Sequence, residues 1–181
     1  ASGPMAQPYT MPTVMKSRRL SDPLAVVVGL YVVLAVGYNL ANPIFESPDE
    51  RLHFDFLRYI QRTGTLPVET LNGDLTEFHQ PPVYYVLAAA LTAWLPDDGY
   101  EAQIRSNPFW AYDIGRVGRD NKNQYLHPPE GHPWLSPTVV AVHVIRLLST
   151  LAGVAVIVGT QRLVRELAPG REDLAIAAAA L

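Results

Sequence analysis

Apolar positions along this 181-residue chain fall into blocks instead of being spread evenly. The first block, 24–40, is dominated by Val, Leu and Ala, and with its flanks the uncharged stretch covers 23–45. As a helix that stretch reaches roughly 34 Å, against about 30 Å of bilayer hydrocarbon. It predicts a first transmembrane helix. A second block, 138–161, contains Arg146 as its one formal charge and predicts a second. A third begins at Leu174 and is still apolar at Leu181, which reads as the start of a truncated third span. The run 83–95 lies between Pro81-Pro82 and Pro96. Helical, it would reach only roughly 20 Å, so it is expected to lie along the outer membrane surface. In 49–62 the residues Leu52, Phe56, Tyr59 and Ile60 recur at helical spacing, an amphipathic stripe suited to a membrane surface, and Thr63-Gly64 ends it.

The expected fold class is therefore an all-α membrane protein. It has two to three transmembrane helices and a large external loop carrying juxtamembrane amphipathic helices. Charge orients it. Lys16, Arg18 and Arg19 precede the first span, and Arg162, Arg165 and Arg171 follow the second. Both clusters belong on the cytoplasmic side, which requires an even number of crossings between them. The organisation expected is a disordered cytoplasmic segment 1–22, a span 23–45, an external region 46–137, a span 138–161, a cytoplasmic loop 162–173 and the third span's start at 174–181. Residues 1–14 precede Met15, which resembles a natural start, and are expected to lie outside the fold. The rival reading of the first block is a signal peptide cleaved at Ala35-Val36-Gly37. The apolar run continues past that site, and a secreted domain leaves the second span unexplained.

Composition narrows the class further. The chain is 49% hydrophobic and 17% charged with no cysteine, which excludes a disordered chain, a disulfide scaffold and a cysteine-ligated metal site. A net charge of −3 offers no electrostatic footprint for nucleic acid. The loop 46–134 holds 13 acids against 7 bases, together with Tyr84, Tyr85, Trp94, Tyr100, Phe109, Trp110, Tyr112, Tyr125 and Trp134. These rings read first as an interfacial belt against lipid headgroups, and second as stacking platforms for sugars.

Two polar clusters are candidates for chemistry. In Ser47-Pro48-Asp49-Glu50, Ser47 suits an N-cap, Pro48 the first helical position and Glu50 a capping-box acid. Acids there also complement the helix dipole. Capping is the plainer role, yet a cap is also a rigid place to hold a catalytic carboxylate. Asp49 and His53 share a helix face. With Glu50 they offer a divalent ion three ligands on one turn, an incomplete set. In the second cluster, Pro81-Pro82 stiffens the turn carrying Glu77, His79 and Gln80 just before Tyr84. Such a turn can present donors to a phosphate or sugar, or simply start a helix with polar groups facing water. Arg146, three residues after His143, is costly in a span unless it snorkels or pairs with an acid or a lipid phosphate. Asp120-Asn121-Lys122-Asn123 resembles part of a calcium loop but lacks its glycine and closing glutamate.

Taken in order, these motifs resemble a known family. A basic N-terminus, a span, Ser47-Pro48-Asp49-Glu50 with His53, Gly64-Thr65-Leu66-Pro67, His79-Gln80-Pro81-Pro82-Val83-Tyr84-Tyr85 and Arg146-Leu147-Leu148-Ser149 follow one another. The arrangement is similar to the N-terminal part of multi-pass glycosyltransferases of the C-type fold, of the protein-mannosyltransferase-like and aminoarabinose-transferase-like kinds. The resemblance covers roughly 16–181. It implies transfer of a sugar from a polyprenyl-phosphate carrier to an acceptor at the external membrane face. Asp49 matches the family's loop acid and would be the general base, with Glu50 the second choice. His53, Glu77, His79, Gln80, Tyr84 and Arg146 would contact substrate. The residue before Pro-Pro is basic in some relatives but is Gln80 here, so the phosphate's counter-charge must come from elsewhere, with Arg146 one source. The implied donor is a lipid-phosphate-linked sugar, with a divalent metal as an optional participant. Such enzymes have many more spans, so 181 residues alone should not form a working transferase. The competing class is a small non-catalytic membrane subunit packing in a larger membrane complex.

Overall fold

The structure, a computed structural model, describes residues 22–69, 76–96, 98–110, 123–127 and 136–181. The expectations for Lys16, Arg18 and Arg19, for the partial calcium loop at 120–122, and for Tyr112 and Trp134 lie outside the described residues. Among the described residues six helices account for the regular structure: α1 Pro23–Ala41, α2 Glu50–Thr63, α3 Val83–Thr92, α4 Tyr100–Gln103, α5 Pro137–Leu167 and α6 Glu172–Ala180. The same residues contain no strand, only an isolated antiparallel bridge between Ser106 and Tyr125.

Two helices, α1 and α5, are long and apolar enough to cross a membrane. α1 starts where Asp22 caps the Leu24 N–H at 3.1 Å and Pro23 supplies a pre-set first turn. It stops at Ala41, four residues short of the expected 45, because Pro43 cannot continue the ladder and Phe45 turns into the left-handed region at φ 64°. α5 is longer than the predicted 138–161. Arg162, Arg165 and Glu166 are good helix formers, so the helix runs on until the turn at Gly170 (φ 82°).

The two long helices run antiparallel. Asn39 meets His143 at one end, while Tyr31 lies over Gly153 further along. Gly153 is required for that approach, since a Cβ there would overlap the Tyr31 ring and hydroxyl. The start of α1 and the end of α5 therefore share one end of the pair. α6 folds back onto both, burying Ala175 and Ala179. Arg165 and Arg171 are not bare cations, because Glu172 and Asp173 pair with them at 2.6 and 3.0 Å.

At the opposite end sits the polar half of the molecule. α2 packs on α3, and α3 on α5. Gln61 fastens the first contact, donating to the Ala89 carbonyl and the Thr92 hydroxyl, both at 3.0 Å. The core here is aromatic: Phe45, Phe54, Tyr100 and Tyr125 form a ring cluster with centroids 5.4–6.5 Å apart. Phe56 stacks on Tyr85 at 4.0 Å and meets Phe78 edge-on. This corrects two expectations. The Leu52–Phe56 side of α2 is buried in protein, not laid on a membrane surface. Tyr85, Tyr100 and Tyr125 belong to the core, not to an interfacial belt, whereas Trp94 and Phe109 are exposed. A free apolar face does remain on α3, where Val83, Leu87 and Leu91 recur every four residues.

Candidate functional site

The eight residues that link α1 to α2, 42–49, build the site. Two of them, Phe45 (φ 64°) and Asp49 (φ 59°), adopt left-handed backbone without being glycine. Asp tolerates that region, but a bulky residue such as Phe is held there only by its surroundings. Those surroundings are visible. The Phe45 ring is buried in the aromatic cluster, and its N–H donates to Glu50 Oε2 at 2.7 Å. The predicted Ser47 cap is therefore corrected. Asp49 occupies the N-cap position without a side-chain cap bond, and the Ser47 hydroxyl instead accepts from Asn42 Nδ2 at 2.7 Å.

Arg146 closes the link. Its guanidinium has five N–H donors and all five are used. Nε and one Nη2 hydrogen reach the two Glu50 oxygens at 2.6 and 2.7 Å, a bidentate fork. The remaining three reach the carbonyls of Asn39, Asn42 and Pro43 at 2.9, 2.7 and 3.1 Å. These carbonyls are at and just beyond the end of α1, where the last turn leaves acceptors without helical partners. One cation thus caps α1, fixes the link and neutralises Glu50. Both partners are largely buried, with side-chain exposures of 14% and 17%. Beside them Asn39 Oδ1 and His143 Nδ1 are 2.7 Å apart, completing a polar layer between the long helices.

Glu50 and Arg146 form the wall between two cavities. The larger, about 330 Å³, lies between α2, α3 and α5 and is lined by Phe54, Leu57, Val142 and Ile145 with His53, Tyr84, Tyr85 and Ser149. His53 Nδ1 is 2.7 Å from the Tyr85 hydroxyl, and the Tyr84 hydroxyl is 2.7 Å from Ser149 Oγ. Burial raises the Tyr84 and Tyr85 pKa values above the ordinary tyrosine range, so both are neutral hydroxyls near neutral pH. The second cavity, about 240 Å³, opens along α1 and is lined by Ala35, Tyr38, Asn39, Asn42 and Ser47. A third, about 200 Å³, holds Asp49 with Ser47, Arg51, Gln124 and Tyr125. Asp49 and Glu50, adjacent in sequence, thus face different spaces.

No family model, curated protein or solved structure matches the chain.

Of the sequence-predicted residues, Glu50, His53, Tyr84 and Arg146 converge on the 330 Å³ cavity. Glu77, His79 and Gln80 form a separate turn. There Gln80 Nε2 donates to Glu77 Oε2 at 2.9 Å and His79 Nε2 lies 3.5 Å from the same oxygen. Asp49, Glu50 and His53 do not gather as metal ligands, because Glu50 is spent on Arg146 and His53 on Tyr85. Among the described residues no group of three His, Cys, Asp or Glu side chains could hold a metal ion. Sequence reading missed Glu46. Its carboxylate accepts from the N–H groups of Gln124 and Tyr125 at 2.7 and 3.0 Å and lies 2.6 Å from His127 Nε2. It pins 123–127 over the Asp49 pocket. Only its place at the edge of the apolar block hinted at a role. Asn39 and Asn42, polar residues closing an otherwise apolar helix, were a clearer signal left unused.

Proposed function

We propose that the chain is the N-terminal part of a membrane-embedded glycosyltransferase that takes its sugar from a polyprenyl-phosphate carrier. One observation carries this reading. A mostly apolar cavity with a polar rim lies at the end of two helices long enough to cross a bilayer, against the 42–49 loop, whose Asp49 carboxylate lines a neighbouring pocket and has no partner among the described residues. Such a cavity suits an amphiphile, with its chain against Phe54, Leu57, Val142 and Ile145 and its headgroup toward His53, Tyr84 and Ser149. Arg146 has no donor to spare, so a phosphate would gain its charge only in exchange with Glu50.

In the reaction, an acceptor hydroxyl or amine attacks the sugar's anomeric carbon. Its proton passes to the Asp49 carboxylate, the bond from anomeric carbon to phosphate oxygen breaks, and polyprenyl phosphate leaves with the electron pair. Asp49 suits the role of base because, among the described residues, its carboxylate has no hydrogen-bond or ion-pair partner.

The 181 residues contain no cysteine, so single cysteines report cleanly. With Ser149→Cys in proteoliposomes, polyprenyl phosphate is expected to slow maleimide labelling several-fold. Labelling at an unchanged rate would remove the carrier from this cavity. The topology belongs to the same reading: N-terminus and 162–171 cytoplasmic, 46–134 external. It is supported by the antiparallel α1–α5 pair, which brings the start of α1 and the arginines closing α5 to one end. Cysteines introduced in place of Thr13 and Ser136 should label from opposite sides. Labelling from the same side would overturn it.

A further inference from the structure

The three cavities form a sequence. Glu50, Arg146 and Ser149 line both the 330 Å³ and the 240 Å³ spaces, and Ser47 lines both the 240 Å³ space and the 200 Å³ pocket that contains Asp49. From one end to the other the lining changes from aliphatic and aromatic to charged and polar. We infer that the Asp49 pocket is a separate binding site for one hydroxyl-rich sugar ring, the acceptor's reactive end. The carrier's chain and phosphate sit on the far side of the Glu50–Arg146 wall, and its sugar reaches past that wall through the 240 Å³ space that borders both. This deepens the transferase reading and rests on it.

The pocket's chemistry selects the ligand class. Asp49 can accept from hydroxyls. Arg51, whose Nε lies 3.7 Å from Asp55, has Nη donors to offer them. Gln124 Nε2 donates to the Tyr125 hydroxyl at 3.3 Å and has a second hydrogen to give, and Tyr125 adds an aromatic wall. Both signs of hydrogen-bonding group at short range suit neutral polyols, which donate and accept at each hydroxyl. An anion would meet Asp49, and a cation would meet Arg51. Size limits it further, because about 200 Å³ is below the range for drug-sized ligands and admits a single small ring.

The pocket is also built, not incidental. Glu46 holds the far wall by three contacts to 123–127, and the Ser106–Tyr125 bridge and the Asn107 N–H on the Gln124 carbonyl at 2.9 Å hold it from behind. On the near side Asp49, in left-handed backbone, lines the pocket and Glu50 does not. Glu46 is thus a positioning residue for this pocket.

Saturation-transfer NMR on the purified protein in nanodiscs, with a panel of methyl glycosides of common hexoses and pentoses, tests the site without any turnover. At least one glycoside is expected to bind. Arg51→Gln and Gln124→Ala, changes of a half-exposed and an exposed residue, should each weaken it, by about tenfold or more for the charged hydrogen bond. Polyprenyl phosphate should not displace it. No saturation transfer from any glycoside, binding unaffected by either variant, or displacement by the carrier would each overturn the inference. Carrier protection of the Ser149→Cys thiol with no glycoside binding sinks this pocket alone. Glycoside binding without that protection sinks the carrier cavity instead.

Discussion

Breaking the Glu50–Arg146 pair is expected to be the most destabilising polar substitution among the described residues. Arg146→Ala leaves a largely buried carboxylate without its cation and three carbonyls, of Asn39, Asn42 and Pro43, without their donor. Removing one member of a buried pair costs about 3–5 kcal/mol. For a domain of this length that corresponds to a fall in Tm on the order of 10 °C. Glu50→Gln should cost less, since the amide oxygen still accepts one guanidinium N–H and the α1 carbonyls keep theirs. Arg146→Lys should resemble Arg146→Ala more than wild type, because one ammonium cannot span the fork and the helix end together. The double variant Arg146→Met with Glu50→Gln should recover part of the loss, by removing the lone charge, but not the helix-capping share. Thermal unfolding in nanodiscs gives all four values. Equal stability of Arg146→Ala and wild type would show that the link 42–49 is held by its aromatic packing alone.

Asp49→Asn is expected to do the opposite: keep the fold and abolish transfer. Asn is as comfortable as Asp in left-handed backbone, and there is no side-chain cap bond to lose. The change in stability should therefore stay within about 0.5 kcal/mol, as for surface positions generally. Loss of a general base lowers turnover by about 10²–10⁴. Measured on the full-length protein with a polyprenyl-phosphate sugar, a stable and nearly inactive Asp49→Asn fits the proposed chemistry. Normal transfer would return Asp49 to a structural role. Glu50→Gln provides the contrast, because its activity loss should track its loss of stability.

The two carboxylates show how far adjacent residues can diverge. Asp49 and Glu50 were alike as sequence, two acids at a helix start, and both were candidates for catalysis. Asp49, in left-handed backbone at the start of α2, lines the outer pocket, while Glu50 faces Arg146, 96 residues away.

Hydrophobic patterning alone determined the two long helices, the amphipathic α2 and the short α3, because burial in an apolar medium or core imposes a period that sequence displays directly. Gly64 closed α2 as expected, since its φ of 67° is one that glycine adopts freely. Arg146 was recognisable as anomalous for the same reason, a charge within an apolar run. Its partner was not. The capping of α1 by Arg146, the clamp of Glu46 on 123–127 and the stacking of Phe56 on Tyr85 all join residues at least 29 positions apart. Such contacts have no local period to reveal them. They depend on which side chains the helices bring within about 3–4 Å once packed. The sequence therefore supplied the elements and the suspects, and tertiary packing decided which carboxylate is held and which is left free.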